Sequence, residues 1–194
     1  CVTDGNADGQ GNRRHRQFKR ACQSLGVTKT QWWGFPDRFE SRIPLSALTK
    51  KLQEFILTSH TDIVFTHNVL GEYGHPHHQD VSFAVHQVFQ TASIPVFSTA
   101  YNAYPELKIN LTAAEFQLKT KILSTIYSEE TRRFAHLLPA TSSEGFIQVD
   151  FKEVTALYEF FAQNKFPKIG VLKNFKWYWP YIKNGSLGKL PRPF

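Results

Sequence analysis

Apolar positions along the chain follow two different periods. Phe18, Ala21, Cys22 and Leu25 recur at i, i+3, i+4 and i+7, which predicts an amphipathic helix opened by Asn12 as N-cap and ended by Gly26. Leu45, Leu48, Leu52, Phe55 and Ile56 trace a second helical stripe, and Val81, Ala84, Val85 and Val88 a third. Between these stripes lie short runs without that period. KTQWWGF (29–35) is aromatic and β-prone, DIVFT (62–66) reads as a buried strand, and SIPVFST (93–99) as another. Helix and strand therefore alternate, which predicts an α/β layered domain whose sheet is mostly parallel, with strands near 29–34, 62–66 and 94–98 as neighbours and helices on both faces.

From Leu111 the rhythm changes. TAAEFQLKTKILSTIY reads as one helix capped by Thr112 with Glu115 three residues on, and DFKEVTALYEFFAQN as another with Asp150 and Glu153 in the same relation. The closing WYWPYIKNGSLGKLPRPF has no regular period and is expected to be coil. The organisation expected is a single domain over 1–194, with an α/β core at 1–110, a helical part at 111–165 and an irregular aromatic tail at 166–194.

Composition adds limits. The chain has 194 residues, 41% hydrophobic and 20% charged, the balance of a soluble globular protein, and no apolar run is long enough to span a bilayer. A formal charge of +7 would suit a nucleic-acid partner, and RRHRQFKR (13–20) is the densest basic stretch. Aromatic and basic residues are not interleaved on a strand pattern, however, so most of those charges read as a solvated helix face, no nucleic-acid partner is expected, and a basic nucleic-acid binding module ranks last. The two cysteines, Cys1 and Cys22, have no metal or redox spacing. Cys1 supports one rival reading, a self-processed amidohydrolase with an N-terminal thiol nucleophile and its own amine as base. The sequence contains no methionine, so either processing exposes Cys1 or an upstream segment precedes it.

HNVLGEYGHPHHQDVSFAVHQ (67–87) follows the strand DIVFT and holds five histidines. In open α/β sheets ligands bind at the carboxyl ends of strands, and this loop leaves such an end, as does TDGNADGQGN after Val2. His78 lies in the first turn of its helix on the inward stripe, with Pro76 stiffening the approach and His75 before it. A lone histidine there would be a packing residue. Four within twelve residues, His67, His75, His77 and His78, favour metal or acid/base chemistry. His86, further along the helix, reads as a core histidine.

These residues resemble a family. GEYGHPHHQDVSFAVHQ is similar to the G-x-Y-G-H-P-D-H-x-x-V segment of the PIG-L (LmbE-like) superfamily of zinc-dependent N-acetylglucosaminyl deacetylases. TDGNADGQGNRRHRQFKRACQSLGV, FPDR and DIVFTHN extend the likeness in order over roughly the first half of the chain, and 121–129 resembles it more weakly. The resemblance implies a three-layer Rossmann-like α/β domain and hydrolysis of the acetamide of an acylated amino sugar, lipid- or nucleotide-linked, by a cytoplasmic enzyme. It makes His78 a zinc ligand, His75 the cationic group facing the oxyanion, Tyr73 part of the pocket mouth, and Arg14 and Asp37 contacts to substrate hydroxyls or phosphate. Three positions depart from the pattern. The A-H-P-D-D-E motif, source of the other two zinc ligands and the general base, is absent; His77 stands where the motif has aspartate; and Gln17 replaces the helix glutamate. The expectation is therefore a chain truncated at its N-terminus, lacking about one strand and one helix, with a single ligand, too few to hold zinc, and inactive as it stands.

Overall fold

Helix α1 (Gly11–Ser24) forms where the first stripe predicts it and stops at a Schellman turn. Gly26 takes φ +71° there, its N–H donating to Gln23 O at 3.2 Å while that of Val27 donates to Cys22 O at 2.9 Å. Its start differs from expectation, since Asn12 lies inside the helix and no side chain caps it. These observations come from a computed structural model that describes residues 1–38, 40–101, 103–134 and 141–163; the aromatic tail, and the coil expected for it, lie outside the described residues. The chain divides into two units, one of Cys1–Ser41 with Asn110–Ser143, the other of Arg42–Ile109 with Glu144–Phe194.

In the first unit, residues 31–35 run parallel to the opening residues. Trp33 N–H donates to Cys1 O, Phe35 N–H to Val2 O and Asp4 N–H to Phe35 O, at 2.8–3.0 Å, and Phe35 forms a parallel bridge with Thr3. The strand predicted near 29–34 is thus reduced to this pairing, and the described four-stranded sheet does not include it. Trp32 spends its apolar surface on α1, stacking on His15 with ring centroids 4.4 Å apart and tilting against Phe18. Helix α5 (Ala113–Lys121) carries the predicted capping box of Thr112 and Glu115. It continues as a π-helical turn (Ile122–Ile126) and then α6 (Ser128–Arg133), where one helix was predicted. Thr131 Oγ1 donates to Leu123 O at 2.9 Å, satisfying a carbonyl within the π turn. Ala21, Ile122 and Ile126 form this unit's buried apolar cluster.

The second unit is a mixed α/β arrangement on an open sheet ordered β1 (Val64–Thr66), β2 (Val96–Thr99), β4 (Ser143–Ile147), β3 (Leu107–Asn110). This is consistent with the Rossmann-like α/β class. β1 and β2 are parallel as predicted, Val64 facing Val96, whereas β4 joins β2 antiparallel. β1 is an edge strand among the described residues, so Phe65 is 51% exposed rather than buried. Helix α4 (Pro76–Thr91) packs on β1 and β2, and α2 (Leu45–Thr58) and α7 (Phe151–Gln163) pack on α4. The core gathers Val69, Leu70, Ile147, Val149, Val154 and Leu157. No described helix is long and apolar enough to cross a membrane.

Asp80 fixes the first turns of α4 to this core. Its carboxylate is fully buried and accepts from Arg42 Nη1 at 2.9 Å, Ile43 N–H at 2.9 Å and Tyr158 O–H at 2.6 Å. Arg42 also donates to Pro76 O and Gln79 Oε1, so one guanidinium holds both the start of the helix and its fourth residue. Burial, then the bond to Asp80, push the Tyr158 phenol above its ordinary range, which keeps it a donor.

Candidate metal centre

Past Thr66 the chain must turn sharply to enter α4. Two glycines make this possible, Gly71 at φ +69° and Gly74 at φ +94°, within the short helical turn α3 (Gly71–Gly74). A Cβ on Gly71 would lie 2.9 Å from Gln79 Cγ. Gly71→Ala should therefore destabilise the second unit by about 1–2 kcal/mol, combining left-handed strain with displacement of a buried side chain. Urea unfolding measures it, and a midpoint equal to that of the unsubstituted chain would contradict the assignment.

Between these glycines sits Glu72, also at positive φ (+55°, with ψ −74°, near the strained γ-turn region), a conformation that costs a non-glycine residue on the order of 1–3 kcal/mol. Its side chain is tied down on both oxygens. Oε1 accepts from Asn68 N–H at 3.0 Å and Thr99 Oγ1 at 2.6 Å. Oε2 lies 2.6 Å from His78 Nδ1 and 3.2 Å from His67 Nδ1. The His67 and His78 rings stack nearly parallel, with centroids 3.9 Å apart. His67 comes from the end of β1, Glu72 from the turn and His78 from the first turn of α4, and one potential ligand atom of each lies within 4.8 Å of the others.

The charge states suit a cation. Burial opposes ionisation of Glu72, but the His67 and His78 imidazoles outweigh it and hold its carboxyl well below the ordinary range. Burial pushes His78 below its usual value against the pull of Glu72. Burial, reinforced by His78, His77 and His67, pushes His75 down to about 4, so His75 is neutral at pH 7 rather than the cation the motif suggests. An ionised carboxylate beside imidazoles such as His78 and His75, whose protonation burial disfavours, is the form in which such groups ligate or support a divalent metal, so the residues present fit zinc.

The other predicted residues divide between the units. His75 stacks on His78 at 4.6 Å, and Tyr73 sets its ring edge-on to both His75 and His78. His77 is 4% exposed and meets His75 at 5.3 Å. His86 is the core residue expected, bonded to Ser82 O at 2.7 Å and Ser98 Oγ at 3.3 Å. Arg14 and Asp37 belong to the first unit. There Arg14 binds Asp8 through both terminal nitrogens, at 2.6 and 2.8 Å, and donates to Gly5 O, while Asp37 N–H donates to Asp4 Oδ1 at 3.0 Å. Gln17 donates to Ile126 O and Glu130 Oε2, using its neutral amide to join a helix to an acidic group.

His78 is thus not isolated. His67 was visible in the sequence only as one of a group of histidines, and Glu72 was missed. The only signal for it is an acidic residue between glycines, directly after a strand, in a histidine-rich loop. Residues 1–89 match the PIG-L family model, described as GlcNAc-PI de-N-acetylase, which bears out the resemblance over that stretch. Neither the curated proteins nor the solved structures include a match.

Proposed function

We propose that the protein, whose residues 1–89 match the PIG-L family model, is a zinc-dependent hydrolase that removes the N-acetyl group from an N-acetylglucosamine conjugate, lipid- or nucleotide-linked, in the cytoplasm. The observation that carries this reading is the convergence of His67, Glu72 and His78 at the end of β1, with His75 and Tyr73 against them. When bound there, zinc would supply Lewis acidity, lowering the pKa of a water and polarising the amide carbonyl. His75 Nδ1 accepts from His77 N–H at 3.3 Å, which leaves the proton of the neutral ring on Nε2. His75 then acts as a neutral hydrogen-bond donor to the amide oxygen, a role worth on the order of 10²–10³ in rate. Tyr73 borders the same histidines and would line the pocket mouth. Arg14 and Asp37 are assigned to substrate recognition through the resemblance alone.

The test is acetate release from N-acetylglucosaminyl-phosphatidylinositol and from a nucleotide-linked N-acetylglucosamine, by the zinc-loaded 194-residue chain and by a version extended with an A-H-P-D-D-E segment. Release by the extended chain that stops on chelation, and falls on the order of 10²-fold or more in His75→Ala, supports the reading. A folded, zinc-loaded extended chain that releases no acetate from either conjugate overturns it.

A further inference from the structure

Between Gly9 and Pro36 the chain carries six lysines and arginines and no acid, and α1 sorts these cations by position. Arg13 and Arg14, at its start, are matched by Asp8, Glu129 and Glu130. Arg16, Lys19 and Arg20 are not, since none of them meets a carboxylate among the described residues. They recur at i, i+3 and i+4 along the exposed side of the helix, away from the buried Gln17 and Ala21. Lys121 extends the stripe sideways. Both it and Arg20 line a groove of about 210 Å³ where α1 meets α5 and the π turn, over buried Ile122 and Ile126, and no described acidic side chain borders it. Where the helix ends, Leu25 is 58% exposed and Val27 46%. A residue at Val27's place in a Schellman turn commonly packs back on its helix, so two adjacent aliphatic side chains left in water mark the turn as a contact surface.

We propose that this face of the first unit docks on an anionic phospholipid surface, Arg16, Lys19, Arg20 and Lys121 meeting headgroup phosphates while Leu25 and Val27 enter the headgroup–acyl boundary. Peripheral attachment of this kind combines cations with buried apolar area, and neither signal alone holds a protein firmly. Both occur here within one unit, along one helix and at its end. The basic charge would also suit a nucleic acid, but two features favour the lipid. Exposed aliphatic side chains gain nothing from a phosphodiester backbone. Trp32, the ring on which an unpaired base would stack, already stacks on His15 and tilts against Phe18. The proposal goes beyond the deacetylase reading and needs neither zinc nor turnover.

Co-sedimentation of the 194-residue chain with vesicles, in the presence of a metal chelator, tests it. The protein should bind phosphatidylcholine vesicles that contain phosphatidylserine, ignore pure phosphatidylcholine, and lose affinity as sodium chloride rises. Each cation at such a surface contributes about fivefold, so Arg20→Gln with Lys121→Gln should weaken binding about 25-fold. Arg16→Gln with Lys19→Gln should do the same, and serves where circular dichroism shows that the first pair fails to fold. Leu25→Ser with Val27→Ser should cost about tenfold and leave the salt dependence unchanged, because it removes only apolar area. Equal binding to both vesicles, no binding to either, or an affinity unmoved in the folded variants overturns the proposal. So does tighter binding of a DNA duplex or an RNA strand that the same cation variants abolish, which would give the face to nucleic acid.

Discussion

Asp80→Ala should cost the second unit about 3–5 kcal/mol, because it strips the charged partner from a guanidinium otherwise bonded only to neutral oxygens and leaves a tyrosine hydroxyl and a backbone N–H without their acceptor. Denaturant unfolding should register most of that loss. Tyr158→Phe, which removes one donor and leaves Asp80 with Arg42 and Ile43, should cost only about 1–2 kcal/mol. The large effect follows from position as well as burial. Asp80 is two residues beyond His78, and Arg42 bonds Pro76 O and Gln79 Oε1 around it, so the same network that stabilises the core aims the first turn of α4. Should Asp80→Ala unfold within 1 kcal/mol of the unsubstituted protein, that account of the helix start is wrong.

His78→Ala should abolish metal binding at the β1 end, lowering zinc affinity on the order of 10²-fold or more, since a group of three candidate ligands has none to spare. His67→Ala should do the same. His86→Ala provides the contrast: its ring is fully buried and bonded to Ser82 O and Ser98 Oγ, so its loss should destabilise the fold by about 1–3 kcal/mol while leaving zinc affinity unchanged. Calorimetric titration with zinc on the three variants separates these roles. Equal affinity in His78→Ala and the unsubstituted chain would remove His78 from the centre.

Much of the fold could be read from periodicity, because burial on one helix face writes itself into the spacing of residues such as Leu48 and Leu52 or Ala84, Val85 and Val88. The parallel pair β1 and β2 followed from two short apolar runs flanking α4. β3 and β4 escaped because LKIN is exposed throughout and SEGFI mixes glycine with a charge, so neither shows alternation. The strand expected at 29–34 failed for a different reason. Its aromatic character comes from Trp32 packing on α1, a contact that composition cannot distinguish from a place in the sheet. The site divides in the same way. His75, His78 and Tyr73 stood in a motif with fixed spacing, whereas Glu72 and His67 meet them only because Gly71, Glu72 and Gly74 take positive φ and fold the loop back on the strand end. No linear spacing rule encodes that meeting.

The central claim is a metal held at the end of β1 by residues of this loop. Crystals of the 194-residue chain grown with zinc, with anomalous diffraction collected on both sides of the zinc absorption edge, test it most directly. The account predicts one anomalous peak in the second unit within ligand distance, about 2.0–2.1 Å, of both His67 and His78 nitrogens. A peak bound elsewhere with both imidazoles unengaged, or no peak in a crystal whose His67, Glu72 and His78 are ordered, would contradict it.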